Sequence, residues 1–385
     1  MLSQNSKYNS SFLNVICFDV PFPADYGGAI EEFYKLKALH NLGVKIHLHC
    51  FLYGEREKQR ELENHCEKVF YYERKKSVKD IFSDIPFIVK TRMHHELLQN
   101  LINNDFPILF DGTHTTGFIN HPELKNRKKI VRLHNIEWIY YNILFHSAIK
   151  PFEKLYYFSE YKKLKEYDKV FVNANALSCL SLTDTEYYQD KFPVNKISFE
   201  PVFHENESVS CKPGIGNYIL YHGNLSLLDN YQIIIDLLSD ELKDCKQEII
   251  ITGKNPDDIL TDFVKDKPNV SLIANPSNEI LNDLIENAHI CLALAKNPSG
   301  VKLKLINSLF KSRFVICNTN TVNGSDLENL CVISENENNL LSTVNQLMLK
   351  SFNDTDIQLR KDLLNEKYNN IKNAAQLLGL IFNEL

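Results

Sequence analysis

Two hydrophobic periods alternate along the chain. Phe12–Val20, Lys45–Tyr53, Val69–Tyr72, Pro107–Phe110 and Lys129–Leu133 are short apolar runs of strand length. Between them lie helical patterns. Ala29–Leu42 places Ile30, Phe33, Leu36 and Leu39 at three-residue steps and stops at Gly43, and Glu96–Asn103 is a second helix. A long helix is predicted over Pro151–Val172, then a strand over Leu177–Leu182. Thr183-Asp-Thr-Glu186 reads as a capping box opening the next helix. Strand–helix alternation of this kind predicts an α/β fold with a parallel, doubly wound sheet. Its right-handed crossovers gather the strand-exit loops along one edge.

The stretch Pro201–Asn217 breaks the pattern. It is polar, contains Pro201, Pro213, Gly214 and Gly216, and reads as a linker. The alternation then restarts with strands at Tyr218–Tyr221, Glu248–Thr252, Val270–Ile273, Ile290–Leu294 and Arg313–Cys317. Helices are expected at Asn230–Leu238, Ser277–Glu286 and Leu340–Leu349. Residues 1–205 are therefore expected to form one Rossmann-like domain and residues 206–350 a second, facing it across a cleft. Residues 351–385 form an amphipathic helical closing segment.

Composition narrows the class. A chain of 385 residues suits two domains, and 44% hydrophobic with 24% charged residues is ordinary for a soluble globular protein. A net charge of −6 argues against a general nucleic-acid partner. The nine cysteines are scattered and form no CxxC pair, which predicts buried free thiols instead of a zinc site or disulfide framework. No leader pattern opens the chain and no apolar run nears ~18 residues, so a cytoplasmic, non-spanning protein is expected.

Candidate chemistry concentrates in loops. Asn297–Asn318 reads as a strand-exit loop with Gly300 and Val301, a helix opening on Lys302 and Lys304, and a strand. Unpaired backbone N–H groups at a helix start attract anions, and two lysines beside them suit a diphosphate. His134, at the exit of a central strand, can donate a hydrogen bond or move a proton, and His114 in Asp-Gly-Thr-His is the second candidate. Gly27 and Gly28 let the backbone approach a ligand, or form a plain turn; Gly223 and Asn224 occupy the equivalent loop of the second half. Gly214-Ile-Gly216 precedes a strand, so it is no dinucleotide fingerprint. The run Lys150–Lys165 mixes lysines with aromatics, either as a membrane-touching surface or as a solvated face with a core stripe. Asp354-Thr-Asp356 reads as a helix cap and not as a metal-binding DxD.

Taken in order, these motifs resemble a GT-B glycosyltransferase, most similar to family 4, over nearly the whole chain. The Pro-x-x-x-Gly-Gly loop at Pro23–Gly28, the strand-exit histidine in Arg132-Leu-His-Asn-Ile-Glu137, the long charged helix, Pro201-Val202, Gly223 and Ile290–Asn318 carry the likeness. The resemblance implies a hexosyltransferase that uses a nucleoside-diphosphate sugar as co-substrate. A glycan or lipid-linked acceptor in surface polysaccharide or glycoconjugate synthesis would receive the sugar. It further implies retention of configuration, no cofactor and no obligatory metal, with peripheral contact at the inner membrane face left open. Lys302, Lys304, Gly300 and Val301 would hold the diphosphate and Asn307 the ribose, beside Gly223 and Asn224. His134 would contact the transferred sugar, and Gly27 with Gly28 the acceptor or phosphate. The chain departs from the pattern where Asn224 and Asp229 replace an arginine and a lysine, and Ser299 and Asn307 replace two glutamates. Two other readings remain: a degenerate GT-B scaffold subunit, and a sugar-nucleotide epimerase.

Overall fold

The computed structural model describes residues 8–334 and 340–382. It divides into two compact units, one running to Glu205 and resuming at Asn369, the other spanning Asn206–Tyr368. The stretch 351–385 is thus not one segment. Its helix Asp354–Lys367 belongs to the second unit, and its helix Asn370–Phe382 to the first.

The first unit is built on seven parallel strands: β1 Phe12–Ile16, β2 Lys45–Leu52, β3 Lys68–Glu73, β4 Ile108–Asp111, β5 Lys129–Leu133, β6 Ala176–Cys179 and β7 Lys196–Phe199. Their order is β3-β2-β1-β4-β5-β6-β7. Every residue of β4, β5 and β6 is buried, as a strand covered on both faces requires. The helix Gly27–Asn41 covers one face, where Leu36 and Leu39 share a core with Ala374, Leu377 and Leu378 of the last helix. Crossing of the chain between the units is pinned inside the first unit, where the Asn370 amide donates to the His204 carbonyl at 2.7 Å.

The second unit repeats the plan with β8 Tyr218–Asn224, β9 Glu248–Lys254, β10 Val270–Ala274, β11 Ile290–Ala293, β12 Phe314–Cys317 and β13 Val332–Ile333. The order is β10-β9-β8-β11-β12-β13, again parallel. In each sheet the order reverses beside the first strand, between β1 and β4 and between β8 and β11. Crevices that bind ligands form at such switch points, outside the strand ends.

Several local expectations change. The helix after β6 is capped by Ser181, whose hydroxyl accepts from the Asp184 N–H at 3.0 Å, two residues before the capping box read at Thr183. The long helix ends at Tyr167, passing into a 3-10 turn at Asp168–Asn173. The helix Glu137–Ser147 and strand β7 lack a clear apolar period and were missed. Asp354 and Asp356 do open a helix: Asn353 caps it and Asp356 accepts from the Asn353 N–H at 3.0 Å. Eight cysteines are buried thiols and Cys331 is half-buried, with none bridged. Among the described residues no helix is long and apolar enough to cross a membrane.

Candidate active site

In the first unit the exits of β1, β4 and β5 bring Phe18, Asp111, Gly112, His114 and His134 to one edge. Beneath them the helix Gly27–Asn41 turns three charged side chains, Glu31, Glu32 and Lys35, into the interior. Buried charge persists only when paired, and here it is. The Lys35 ammonium bonds Asp111 and lies 3.6 Å from Glu31. Glu31 in turn accepts from Arg132 Nε at 2.5 Å. The remaining Arg132 donors reach Ser178 Oγ at 2.8 Å and the Glu200 and Pro201 carbonyls at 3.3 and 3.0 Å. Burial alone would raise the Asp111 carboxyl, but Lys35 and His134 hold it well below the usual carboxylate range. Glu32 goes the other way. Burial and the neighbouring Asp111 charge push its carboxyl well up, so it sits protonated beside an ionised partner.

This chain of charges ends at His134. Its Nε2 lies 2.7 Å from Asp111 Oδ1, and the side chain is 17% exposed, open on one side. An ionised carboxylate can only accept, so Nε2 carries the hydrogen and Nδ1 is the ring nitrogen able to accept. Phe18 wedges between the two candidate histidines, stacked on His114 at 5.0 Å and edge-on to His134 at 5.5 Å. Gly28 explains how Phe18 fits: a Cβ there would meet the Phe18 ring at 2.7 Å. The paired glycines thus make room for Phe18, and Gly27 starts the helix.

His114 is half-buried, and desolvation together with the Arg92 guanidinium holds its imidazole well below the ordinary value. Its Nδ1 is 3.9 Å from Glu137 Oε1. Burial and the Asp168 charge push Glu137 up to about 8, so near neutrality it is an acid with a proton to donate. Among the described residues His114 Nδ1, Thr113 Oγ1, Asn135 Oδ1 and Glu32 Oε2 are buried without hydrogen-bond partners. They are four of fourteen such atoms among the described residues, the others being spread over both units. They offer a bound polyol both acceptors and a donor. Cys17 Sγ, a Glu32 oxygen and an Asp111 oxygen lie within 4.8 Å of one another, the one grouping of possible metal ligands among the described residues. Lys35 already bonds the Asp111 oxygen that the thiol faces at 3.8 Å. That set fits an ammonium better than a divalent ion.

In the second unit the candidates gather at the β8/β11 switch point. Gly223 and Asn224 close β8; Gly300, with φ of +72°, and Val301 lead into the helix Leu303–Lys311, whose cap position is Lys302. The loop is braced from β12, where Asn318 accepts from the Ala295 N–H at 3.3 Å and donates to its carbonyl at 2.9 Å. Lys302 bonds the Ser299 carbonyl at the rim. Lys304 turns inward, to the Leu294 carbonyl, to Asn230 Oδ1 at 3.3 Å and over the Tyr221 ring at 5.2 Å. Burial and the adjacent Lys302 lower it to about 8. Asn307 Oδ1 accepts from Asn206 at 2.8 Å. Asn224 Oδ1 is held by the Ser226 N–H and hydroxyl at 3.1 and 2.8 Å. A Cβ on Gly223 would meet only ordinary contacts, the nearest at 3.7 Å; at Gly253 on β9 it would meet the Gly223 carbonyl oxygen at 1.8 Å. The sterically obligatory glycine is therefore Gly253, which the motif reading passed over.

His134 and His114 thus come together in one unit, and the donor candidates in the other. Reading the motifs missed Asp111, Lys35, Glu31 and Glu137 as site groups. A signal existed: Glu31, Glu32 and Lys35 interrupt a helix whose other positions are mostly apolar, and such interruptions mark buried polar networks.

No family model matches the chain. An "Uncharacterized 44.6 kDa protein in cps region" from Klebsiella pneumoniae is 26% identical over 324 residues, covering 78% of this chain and 81% of its own length. Among solved structures, a glycosyltransferase from Rickettsia africae is similar at TM-score 0.65 and 14% identity, over 98% of this chain and 100% of that one. An S. aureus TarM variant in complex with fondaparinux, alpha-GlcNAc-glycerol and UDP is similar at TM-score 0.62 and 11% identity, over 97% and 99%. The UDP-forming alpha,alpha-trehalose-phosphate synthase from Burkholderia vietnamiensis is similar at 0.59 and 10%, over 96% and 99%. At such identities it is the fold that the likeness establishes: two Rossmann-like units, as in the GT-B fold.

Proposed function

We propose that the protein transfers a hexose from a nucleoside-diphosphate sugar to a glycan or lipid-linked acceptor in surface polysaccharide or glycoconjugate synthesis. The observation that carries the reading is His134, at a strand-exit edge, anchored through Nε2 to a buried, charge-compensated Asp111 and 17% exposed. The cps-region relative supports the polysaccharide context.

The chemistry asks for stabilisation of a departing diphosphate while the anomeric carbon gains oxocarbenium character. Backbone N–H groups at Val301–Leu303 and the positive end of the helix Leu303–Lys311 would face the diphosphate, with Lys302 at the rim. Lys304 acts from below, and Asn307 would bind ribose once it exchanges its Asn206 partner. His134 Nδ1 would accept from a hydroxyl of the transferred sugar, and the reaction would retain configuration. No metal or other cofactor is assigned to these steps.

A second reading follows from the Asp111–His134 pair. The same Nδ1 can take a proton from an acceptor hydroxyl as a general base, which would invert configuration. Product stereochemistry, read by NMR after one turnover, decides between them. Retained product supports the first reading, and inverted product abolished by His134→Ala establishes the second. Absence of any donor binding in a thermal-shift screen of UDP, GDP and their sugars would leave a non-catalytic scaffold.

The proposed membrane contact narrows to one place. Tyr156, Tyr157 and Tyr161 pack inward, so the aromatic stripe of Lys150–Lys165 belongs to the core. Ile149, Phe152 and Leu155, at the tip between the helices Glu137–Ser147 and Pro151–Tyr167, are 88%, 89% and 67% exposed beside Lys150 and Lys154. Peripheral docking on anionic lipid would run through this tip. Co-sedimentation with phosphatidylglycerol vesicles, lost in Phe152→Asp, tests it.

A further inference from the structure

The exits of β2 and β3 border an open cavity of about 650 Å³ within the first unit, lined by Tyr53, Arg56, Lys58, Arg74 and Lys76, with Glu57 and Glu73. Its charges are not balanced locally. Among the described residues neither Lys58, Arg74 nor Lys76 has a carboxylate within ion-pair distance. Each instead lies over an aromatic ring: Lys76 over Tyr53 at 4.1 Å, Arg74 over the same ring at 4.6 Å, Lys58 over Tyr71 at 5.7 Å. Arg56 is spoken for, bound to Asp25 and to the Val20 and Pro23 carbonyls at 3.0 and 2.7 Å, so it acts as the cavity's fixed wall. Lys76 also draws the Tyr53 hydroxyl proton toward release, which lowers the phenol from its ordinary value. Tyr53 itself stays 42% exposed.

Unpaired cations around a flat aromatic surface select for a particular ligand. Oxyanions satisfy the cations, and the exposed part of Tyr53 offers a sugar ring its edge and hydroxyl. We propose that this cavity binds an oxyanion-bearing saccharide, and that it is the acceptor's subsite. The label of acceptor rests on the transferase reading above; the binding of an anionic sugar does not. Its place supports it: β2 lies next to β1, so the cavity opens on the same strand-exit edge as Phe18 and His134. Arg74 also reaches Thr91 Oγ1 at 3.0 Å, next to Arg92, whose Nε donates to the Phe18 carbonyl at 2.8 Å. The oxyanion has two sources, an acidic sugar within the glycan or the phosphate that joins a sugar to its carrier.

The test is calorimetry at low salt with trigalacturonate, glucose 1-phosphate, maltotriose and inorganic phosphate, on wild type, Lys58→Ala/Lys76→Ala and Tyr53→Ala. Both lysines are exposed, so the double variant keeps its fold. We expect one of the anionic saccharides to bind at least about tenfold tighter than maltotriose and inorganic phosphate, and each variant to weaken it about tenfold. Preference for trigalacturonate names an acidic sugar as the source, and preference for glucose 1-phosphate names the carrier phosphate. Affinity unchanged by both variants, equal affinity for inorganic phosphate, or no binding overturns the proposal. A parallel thermal-shift measurement with nucleotide sugars separates the two readings. Donor binding without cavity binding sinks the subsite alone, and cavity binding without donor binding sinks the transferase.

Discussion

Replacing Lys35 by methionine would test the charge chain that anchors His134. Lys35 is fully buried and bonds Asp111 while lying 3.6 Å from Glu31. Glu31 keeps Arg132 at 2.5 Å, so the change strips the ammonium from one carboxylate, that of Asp111, which is left with its His134 hydrogen bond at 2.7 Å. Breaking one partner from a buried pair costs about 3–5 kcal/mol. For a unit of this size that is roughly 6–20 °C in melting temperature. The sign with pH follows from Asp111. Its native carboxyl is held below the unfolded value, so its contribution is present above about pH 4 and is lost as pH falls through the native value. Without Lys35 the carboxyl rises, and the deficit should shrink as the medium is acidified toward about pH 4. Calorimetric melts of Lys35→Met, Asp111→Asn and the double variant form a cycle with an expected coupling of about 2 kcal/mol or more. Additive effects, or a Lys35→Met loss below about 1 kcal/mol, would refute the reasoning.

Glu137 gives an opposite slope: its native value of about 8 lies above its unfolded value of about 4.3, so its stability contribution is full below the latter and is lost as pH rises through about 8. Glu137→Gln should therefore flatten the melting temperature against pH between roughly 5 and 8, and an unchanged slope would show that Glu137 is ionised in the native state. Lys304, lowered to about 8, should take up a proton when a diphosphate binds, so donor affinity should fall above that pH. Calorimetry of UDP binding in two buffers of different ionisation enthalpy reads that uptake directly, and its absence would remove Lys304 from the donor site. Gly253→Ala should cost about 3 kcal/mol or more by forcing β9 off β8, whereas Gly223→Ala should cost less than about 1. Chemical denaturation compares the two, and equal losses would contradict the contact geometry.

Much of the fold was legible because buried parallel strands are short apolar runs and the helices between them show a clean period. Thus β5 was placed residue for residue at Lys129–Leu133. Elements whose residues face other helices, such as Glu137–Ser147, show no such period and stayed hidden. The site was legible where a motif and a strand exit coincide, as at His134. The groups that set its chemistry were not, because a buried ion network joins positions far apart in sequence: Arg132 meets Glu31 across 101 residues and Lys35 meets Asp111 across 76. Lys304 shows the converse. Its position beside a helix start suggested a diphosphate ligand, and only tertiary contacts reveal its inward turn.

The return of Asn370–Phe382 to the first unit sets an order on biosynthesis. The ribosome releases the residues of Asn206–Tyr368 as one uninterrupted block, which can close its own sheet as soon as it clears the exit tunnel. The unit that starts first is completed last, because the core that Leu36 and Leu39 share with Val15, Ile46 and Leu48 lacks Leu377 and Leu378 until the last helix is made. During translation the part of that core which the last helix covers therefore stays open longest. A C-terminal truncation should injure the half of the protein that was synthesised earliest.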